Sequence, residues 1–288
     1  MSYFLYSKKY INKSLNKDIS YETSKQDNFW SFFLYYLQYP LFLMLSIPCR
    51  IPLLDQVCEF VATNYPRGIV GFALRGIYWK TKLKKIGRDV FIDRGVSFFP
   101  NTKKIEIGNE CHFDAFITVS SYEGRLTIGD RVCVGSNTFI NCRPFIEIGS
   151  DVAIGNNCTI LGAATKMMSN NIVIPACPLS LGHQDSLRGV IIEDFVSIAI
   201  NCTVVPTAHL AHPPFTVIEG PLKMEFGSLL GSNSFLIDSV GPGEVWAGSP
   251  SRKISDFKDF IFDMYDKDNS CMQFYGDRFV DKVYRRFR

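Results

Sequence analysis

The chain has 288 residues, of which 47% are hydrophobic and 20% charged, and its formal net charge is +3. A charge so close to balance gives no indication of a nucleic-acid partner. Nine cysteines occur without a C-x-x-C pair, which is typical of buried thiols in a reducing compartment. The composition therefore argues against a disulfide framework and against a cysteine-based metal site.

Residues 1–28 are polar, and we expect them to form a loosely ordered arm. Residues 28–49 contain no charged side chain and are dense in aromatic residues, a length that could span a bilayer. Gln38, Pro40 and Pro48 argue against a clean spanning helix, because a proline removes an internal hydrogen bond and favours a kink. A bent, monotopic insertion fits this stretch better.

A basic stretch follows at residues 67–88, with interleaved apolar residues and no acidic side chain. Its cations are Arg67, Arg75, Lys80, Lys82, Lys84, Lys85 and Arg88. The pattern predicts an amphipathic helix on the anionic cytoplasmic leaflet, where each cation contributes about 1 kcal/mol. Alternatively, the helical segment 29–85 packs on the open end of the following repeat and shields it from edge pairing. We expect a cytoplasmic protein, or one peripheral on the cytoplasmic face of the membrane.

Residues 86–254 repeat a hexapeptide that reads aliphatic, Gly or polar, x, x, small, x. Its leading isoleucines include Ile107, Ile128, Ile148, Ile154, Ile192 and Ile198. The intervals from 107 to 128, 128 to 148 and 174 to 192 are 21, 20 and 18 residues, or one turn of a three-sided coil. The repeat predicts a mainly β protein, a parallel β-helix with an aliphatic prism inside. The small fifth position should also point inward, at Cys111, Val132, Val152, Cys158, Val196 and Cys202.

Two stretches interrupt the coil, and a different pattern follows it. Residues 162–171 are predicted to form a long corner, and the repeat breaks again at an insertion spanning 207–225. Residues 255–288 carry apolar side chains at helical spacing, which predicts a helical cap on the last turn.

Three segments carry a family resemblance. PACPLSLGH at 175–183, GVIIEDFVSIA at 189–199 and VWAGSPSRKI at 245–254 resemble motifs of the hexapeptide-repeat acyltransferases, especially the branch that O-acetylates sugars. Galactoside and maltose acetyltransferases are relatives in that branch. The resemblance implies a left-handed coil, acetyl-CoA as the donor, a carbohydrate acceptor, and a homotrimer whose active site lies between subunits.

The resemblance matches His183 to the family's catalytic histidine. Acyl transfer from a thioester to a hydroxyl requires a base, and an imidazole with a pKa of about 6.5 suits that task. Gly182 would leave the backbone free to approach the thioester. Asp185 either orients the imidazole or caps a turn.

The acceptor and the donor are matched to other positions. Asn157 loosely matches the asparagine with which sugar acetyltransferases bind their acceptor, although it could equally be an ordinary corner residue. The relatives' paired aspartates are replaced by Gly162 and Ala163, so the same sugar is not implied. The backbone positions matched to the pantetheine arm are Ala199, Ile200, Gly231 and Ser232, and the cations matched to the phosphates are Arg252 and Lys253.

The leading hypothesis is an O-acetyltransferase that acts on a surface polysaccharide or a lipid-linked glycan. A soluble small-molecule acetyltransferase and an N-acetyltransferase of an amino sugar are the enzymatic alternatives. A γ-type carbonic anhydrase would need His183, His209 and His212 on a metal, but their spacing does not match that family, so no metal is expected. The broken repeat leaves a non-catalytic scaffold as the last alternative.

Overall fold

The computed structural model describes residues 47–165, 168–169, 172–173, 185–186, 188–206 and 220–256. At its centre is a coil of six turns, each of which contributes one short strand to each of three parallel faces. The first face contains β1 (Lys85–Ile86), β4 (Ile105–Ile107), β7 (Arg125–Ile128), β10 (Phe145–Ile148), β17 (Val190–Ile192) and β20 (Leu222–Met224).

The other two faces follow the same order of turns. The second face contains β2 (Phe91–Ile92), β5 (His112–Phe113), β8 (Cys133–Val134), β11 (Ala153–Ile154), β18 (Ser197–Ile198) and β21 (Leu229–Leu230), and it continues into β23 (Glu244–Gly248) and the antiparallel β24 (Ser251–Asp256). The third face contains β3 (Ser97–Phe99), β6 (Thr118–Ser120), β9 (Phe139–Asn141), β12 (Thr159–Leu161), β19 (Thr203–Val204) and β22 (Phe235–Leu236). Short 3-10 helices lie at Pro48–Arg50 and Thr102–Lys104.

The core is the prism that the repeat predicts. In register along the first face, Ile107, Ile128, Ile148 and Ile192 stack on one another, and each is at most 3% exposed. The fifth-position residues are also buried, each at most 1% exposed: Cys111, Val132, Val152, Cys158, Val196 and Cys202. Because each turn buries its aliphatic side chains against the next, the turns stabilise one another. The predicted parallel β-helix is confirmed.

The buried cysteines behave as small hydrophobic residues. All seven cysteines in the described part of the chain are free thiols. Burial raises the pKa of Cys111 to about 11 and that of Cys142 to about 12, so both stay protonated near neutral pH. Such thiols are inert toward oxidation and metal binding.

The glycine and the polar residue that follow Ile107, Ile128 and Ile148 form the first corner, between the first and second faces. A side chain at Gly108 would overlap the carbonyl oxygen of Gly129 on the next turn. The polar residue after this glycine donates to the equivalent residue of the next turn: Asn109 N–H donates to Asp130 Oδ1 (2.7 Å), and Asp130 N–H donates to Ser150 Oγ (3.1 Å). The amide of Asn109 thereby lowers the pKa of Asp130. Close backbone approach and a side-chain ladder therefore account for this part of the repeat.

The structure corrects the predicted course of the chain at the third corner, between the third and first faces. Ile148 pairs directly with Ile192, so the interval from 174 to 192 is not a coil turn. Residues 162–189 instead leave the coil between β12 and β17. The later insertion, predicted at 207–225, ends earlier than expected, because β20 already pairs with β17 from Leu222 onward.

The first of these insertions starts as a β-ribbon. β13 (Ala164–Thr165) pairs antiparallel with β16 (Asp185–Ser186), and β14 (Met168–Ser169) pairs antiparallel with β15 (Ile172–Val173). At the coil, Gly189 N–H donates to the carbonyl of Gly162 (2.8 Å), which closes the base of the insertion.

Two helices, α1 (Pro52–Asn64) and α2 (Ile69–Lys82), cover the first turn of the coil. Trp79 of α2 is 1% exposed and packs edge-on against Phe98, with ring centroids 4.9 Å apart. Arg75 is fully buried, and it donates from Nε to the Ile92 carbonyl (2.8 Å) and from Nη1 to the Tyr65 carbonyl (2.9 Å). Both helices therefore shield the open end of the coil, as one of the two N-terminal alternatives expects.

The predicted basic helix over residues 67–88 needs correction, because α2 spans only residues 69–82. Four of the seven cations at residues 67–88 are held by internal partners. Besides the buried Arg75, ion pairs join Arg67 to Asp93 (2.6 Å), Lys82 to Asp55 (2.6 Å) and Lys84 to Glu106 (2.6 Å). Within the described residues, no helix combines the length and the apolar character needed to cross a bilayer.

Several predictions of domain organisation fall outside the described residues. The polar arm at 1–28, most of the apolar stretch that follows it and nearly all of the C-terminal cap at 255–288 belong to this group. Only the start of that cap is described, and there residues 255–256 are the last residues of strand β24.

Candidate active site

The predicted catalytic segment belongs to the first insertion at the third corner. His183 and Gly182 lie outside the described residues. The backbone of Asp185 is described: it lies in β16, opposite Thr165 of β13. Asp185 therefore lies at the base of the insertion whose sequence contains His183.

The second insertion, with His209 and His212, also leaves at the third corner, one turn later. The histidines lie outside the described residues, but Pro206 follows β19 and Gly220 precedes β20. Arg188 Nε donates to the Gly220 carbonyl (2.8 Å), which joins the ends of the two insertions. Sequence reasoning missed this adjacency, because it counted residues 174–192 as a turn of the coil.

The positions matched to the donor are brought together at the second corner, between the second and third faces. Ala199 and Ile200 lie on one turn, and Gly231 and Ser232 lie on the next. Ala199 N–H donates to the carbonyl of Leu230 (2.9 Å), one residue before Gly231. The stack continues to Ala247, which a side chain on Gly231 would approach closely. We call this stack the donor corner.

Hydrogen bonds decide which backbone groups of the donor corner are available. The Ala199 carbonyl accepts from Cys158 Sγ (3.1 Å), and the Gly231 carbonyl accepts from Cys202 Sγ (3.1 Å). The Gly231 N–H donates to Trp246 (2.8 Å). The N–H groups of Ile200 and Ser232, both exposed residues, have no hydrogen-bond partner among the residues that the structure describes. These two are the groups free to contact a ligand.

The two cations matched to the donor's phosphates lie on β24, beside the donor corner. Arg252 is opposite Ala247 in the antiparallel pair β23–β24. Lys253 is held by Glu244 (3.0 Å) and Asp256 (2.9 Å), and these carboxylates raise its pKa. Arg252 has a half-exposed side chain, 3.7 Å from the nearest carboxylate, that of Asp238. Arg252 is therefore the freer of the two cations.

Asn157 lies at the second corner, one turn before Ala199. It is one of four asparagines that occupy the left-handed backbone region there, with φ between 57° and 59°: Asn137, Asn157, Asn201 and Asn233. Asparagine tolerates this region better than most residues. The corner thus accounts for an asparagine at position 157, and its role in acceptor binding stays a prediction.

The remaining histidine, His112, lies on the second face, away from both insertions. Its Nε2 is 3.1 Å from Asp114 Oδ1, and its ring packs on Phe91 with centroids 4.3 Å apart. Burial lowers its pKa despite the neighbouring carboxylate. Among the described residues, no group of three or more His, Cys, Asp or Glu side chains could hold a metal ion.

Comparison with known proteins supports the fold. No protein-family model matches the sequence. The probable acetyltransferase Rv3034c of Mycobacterium tuberculosis is 30% identical over 107 residues, which cover 34% of this chain and 35% of that protein. The chain thus spans about a third of the length of this curated relative.

Solved structures of AntD, an N-acyltransferase from Bacillus cereus, align over about two thirds of this chain. The complex with dTDP and 3-hydroxybutyryl-CoA has a TM-score of 0.53 at 21% identity, over 69% of this chain and 96% of AntD. A variant in complex with dTDP-4-amino-4,6-dideoxyglucose and coenzyme A also has a TM-score of 0.53 at 21% identity, over 67% of this chain and 94% of AntD. This likeness confirms the predicted left-handed form of the coil, and the chain is similar in fold to this N-acyltransferase.

Proposed function

We propose that this protein transfers an acyl group, most simply acetyl, from acyl-CoA to a hydroxyl of a sugar. The observation that carries the proposal is the donor corner. It places the four matched positions on consecutive turns, with free N–H groups at Ile200 and Ser232 and the half-exposed Arg252 on the adjoining strand. A pantetheine arm needs backbone partners, and its phosphates need a cation.

In the proposed reaction, His183 acts as the general base. Its imidazole takes the proton of the acceptor hydroxyl while the oxygen attacks the thioester carbonyl. The carbon–sulfur bond then breaks, and the departing thiolate takes the proton back from the imidazolium. Backbone N–H donors would stabilise the charge that develops on the carbonyl oxygen. Asp185, two residues away, is the candidate for orienting the ring.

The acceptor we propose is a sugar unit of a surface polysaccharide or a lipid-linked glycan. AntD, which has the same fold, was crystallised with a dTDP-linked amino sugar, so N-acylation is the second candidate. Asn157 would contribute to acceptor binding from the second corner. We also propose a homotrimer, in which a neighbouring coil closes the donor corner.

The proposal is tested by incubating the full chain with acetyl-CoA and matched sugars that differ only in a hydroxyl or an amine. Free thiol reports release of CoA, and mass spectrometry reports the product. Ester products are cleaved by alkaline hydroxylamine, whereas amide products resist it. Labile products support O-transfer, and resistant products establish N-transfer. A folded chain that neither binds CoA nor transfers to any acceptor would overturn the proposal in favour of a scaffold.

Arg252→Ala is expected to weaken CoA binding roughly tenfold, because one charge-assisted contact to a phosphate is lost. Binding of pantetheine, which lacks the nucleotide phosphates, should be unchanged. Titration calorimetry with both ligands measures the difference. Lys223→Ala, an exposed cation on the first face, is the control and should bind both ligands normally. Equal weakening of both ligands by Arg252→Ala would show that Arg252 does not contact the phosphates.

A further inference from the structure

Helix α1 has a broad apolar face, and only part of it is covered by the coil. Ala62 is 3% exposed and Cys58 packs against the core, so their side faces inward. Leu54, Val57 and Val61 lie three and four residues apart and adjoin that side, but they are exposed. Packing on the coil therefore explains the buried part of the apolar face and leaves the exposed part unexplained.

The exposed apolar residues of α1 belong to a longer stretch of sequence that is rich in exposed apolar side chains. The described part of the chain has thirteen exposed large hydrophobic residues, and seven of them fall within residues 47–65: Ile47, Ile51, Leu54, Val57, Phe60, Val61 and Tyr65. Phe60, at 68%, is the most exposed of all thirteen. Scattered apolar residues need no explanation, but a cluster of this kind marks an interaction surface. We call these seven residues the apolar patch.

The sequence next to the apolar patch indicates the kind of partner. Residues 29–46, which lead directly into Ile47, contain no charged residue and only three strictly polar ones, Ser31, Gln38 and Ser46. A stretch with so few polar residues has more apolar side chains than the exposed part of α1 alone could cover. The partner must therefore be an extended apolar phase, and not a single short segment.

The charges near the patch indicate how that phase is bound. Four of the seven cations at 67–88 have internal partners, as described above, which reduces the attraction of this stretch to acidic lipids. Burial of apolar side chains is left as the driving force. We propose that the apolar patch lies on a lipid bilayer, with α1 in the plane of the interface and Tyr65 near its polar boundary.

Vesicle flotation of the full chain tests this proposal. Wild-type protein is expected to float with neutral phosphatidylcholine vesicles and to stay bound at high salt. The double variant Val57→Asp, Phe60→Asp should lower the bound fraction at matched lipid at least roughly tenfold, because two apolar contacts are replaced by charges. Tyr122→Asp is the matched control: Tyr122 is 67% exposed but lies outside the patch, so its replacement should leave binding unchanged.

A second measurement does not depend on a destabilising change. Brominated lipids should quench a tryptophan introduced by Phe60→Trp, and should not quench one introduced by Tyr122→Trp. Equal flotation of wild type and double variant, or absence of quenching at position 60, would overturn the proposal. If the double variant instead halves the assembly size in sedimentation while the wild type ignores vesicles, the patch binds a second copy of the chain. Acyl transfer to a soluble sugar is a separate readout, so the two proposals can fail independently.

Discussion

Replacing His183 by alanine is expected to lower kcat for acyl transfer roughly 10²- to 10⁴-fold, the contribution of a general base. Binding of acetyl-CoA should change little, because the proposal assigns donor binding to the N–H groups of Ile200 and Ser232 and to Arg252, and not to the imidazole. Timed assays of CoA release measure kcat, and calorimetry measures the affinity for the donor, so the two effects are separated. The loss should be the same for good and poor acceptors, since every acceptor hydroxyl must give up a proton.

The matched control is His112→Ala. His112 is held on the second face by Asp114 and Phe91, whereas both insertions leave the coil at the third corner, and its replacement should leave kcat unchanged. His209→Ala and His212→Ala test the second insertion, which leaves the coil at the same corner as the His183 segment. Normal turnover by His183→Ala would exclude the proposed base, and a selective loss in His209→Ala or His212→Ala would move that role to the second insertion.

The largest effect on stability is expected for Gly108→Ala. The new methyl group would overlap the carbonyl oxygen of Gly129 on the next turn and approach Asp130 Oδ1. The backbone carbonyl of Gly129 cannot move without shifting its whole turn, so we expect a loss of about 1–3 kcal/mol or more in the free energy of unfolding. Urea denaturation followed by circular dichroism measures it.

Gly76→Ala provides the opposite outcome with the same chemical change. Gly76 lies inside α2, and a side chain there would meet no atom within 4 Å. Alanine favours a helix over glycine by roughly 1 kcal/mol, so this variant should be slightly more stable than wild type. A similar loss in both variants would show that the close approach at Gly108 is not what requires glycine.

The sequence predicted the architecture because one physical requirement repeats in it many times. Each hexapeptide must bury one aliphatic side chain and one small side chain, and the residues named for those positions, such as Ile128 and Val132, are buried. The same counting failed at residues 174–192. An isoleucine at a plausible interval looks like a coil turn, and only the pairing of Ile148 with Ile192 shows that it is not.

Grouping of the donor positions could be predicted from the repeat, but their availability could not. Ala199 and Gly231 have their backbone groups occupied by cysteine thiols and by neighbouring turns. Which groups remain free depends on the register between turns, which is a property of the folded coil. Asn157 is a similar case, since the column of asparagines that explains it becomes visible only when the turns are aligned. The apolar patch was hidden for another reason: hydropathy does not say which side of a helix is covered.

Both insertions leave the coil at the same edge of the prism. After each insertion the strands pair again in unbroken register, β17 with β10 and β20 with β17. The number of residues inserted at that edge therefore does not affect the geometry of the turns that follow. Loops of other lengths could be grafted there while the scaffold beneath them keeps its alignment, so a change of acceptor could evolve, or be engineered, by exchanging these two excursions alone.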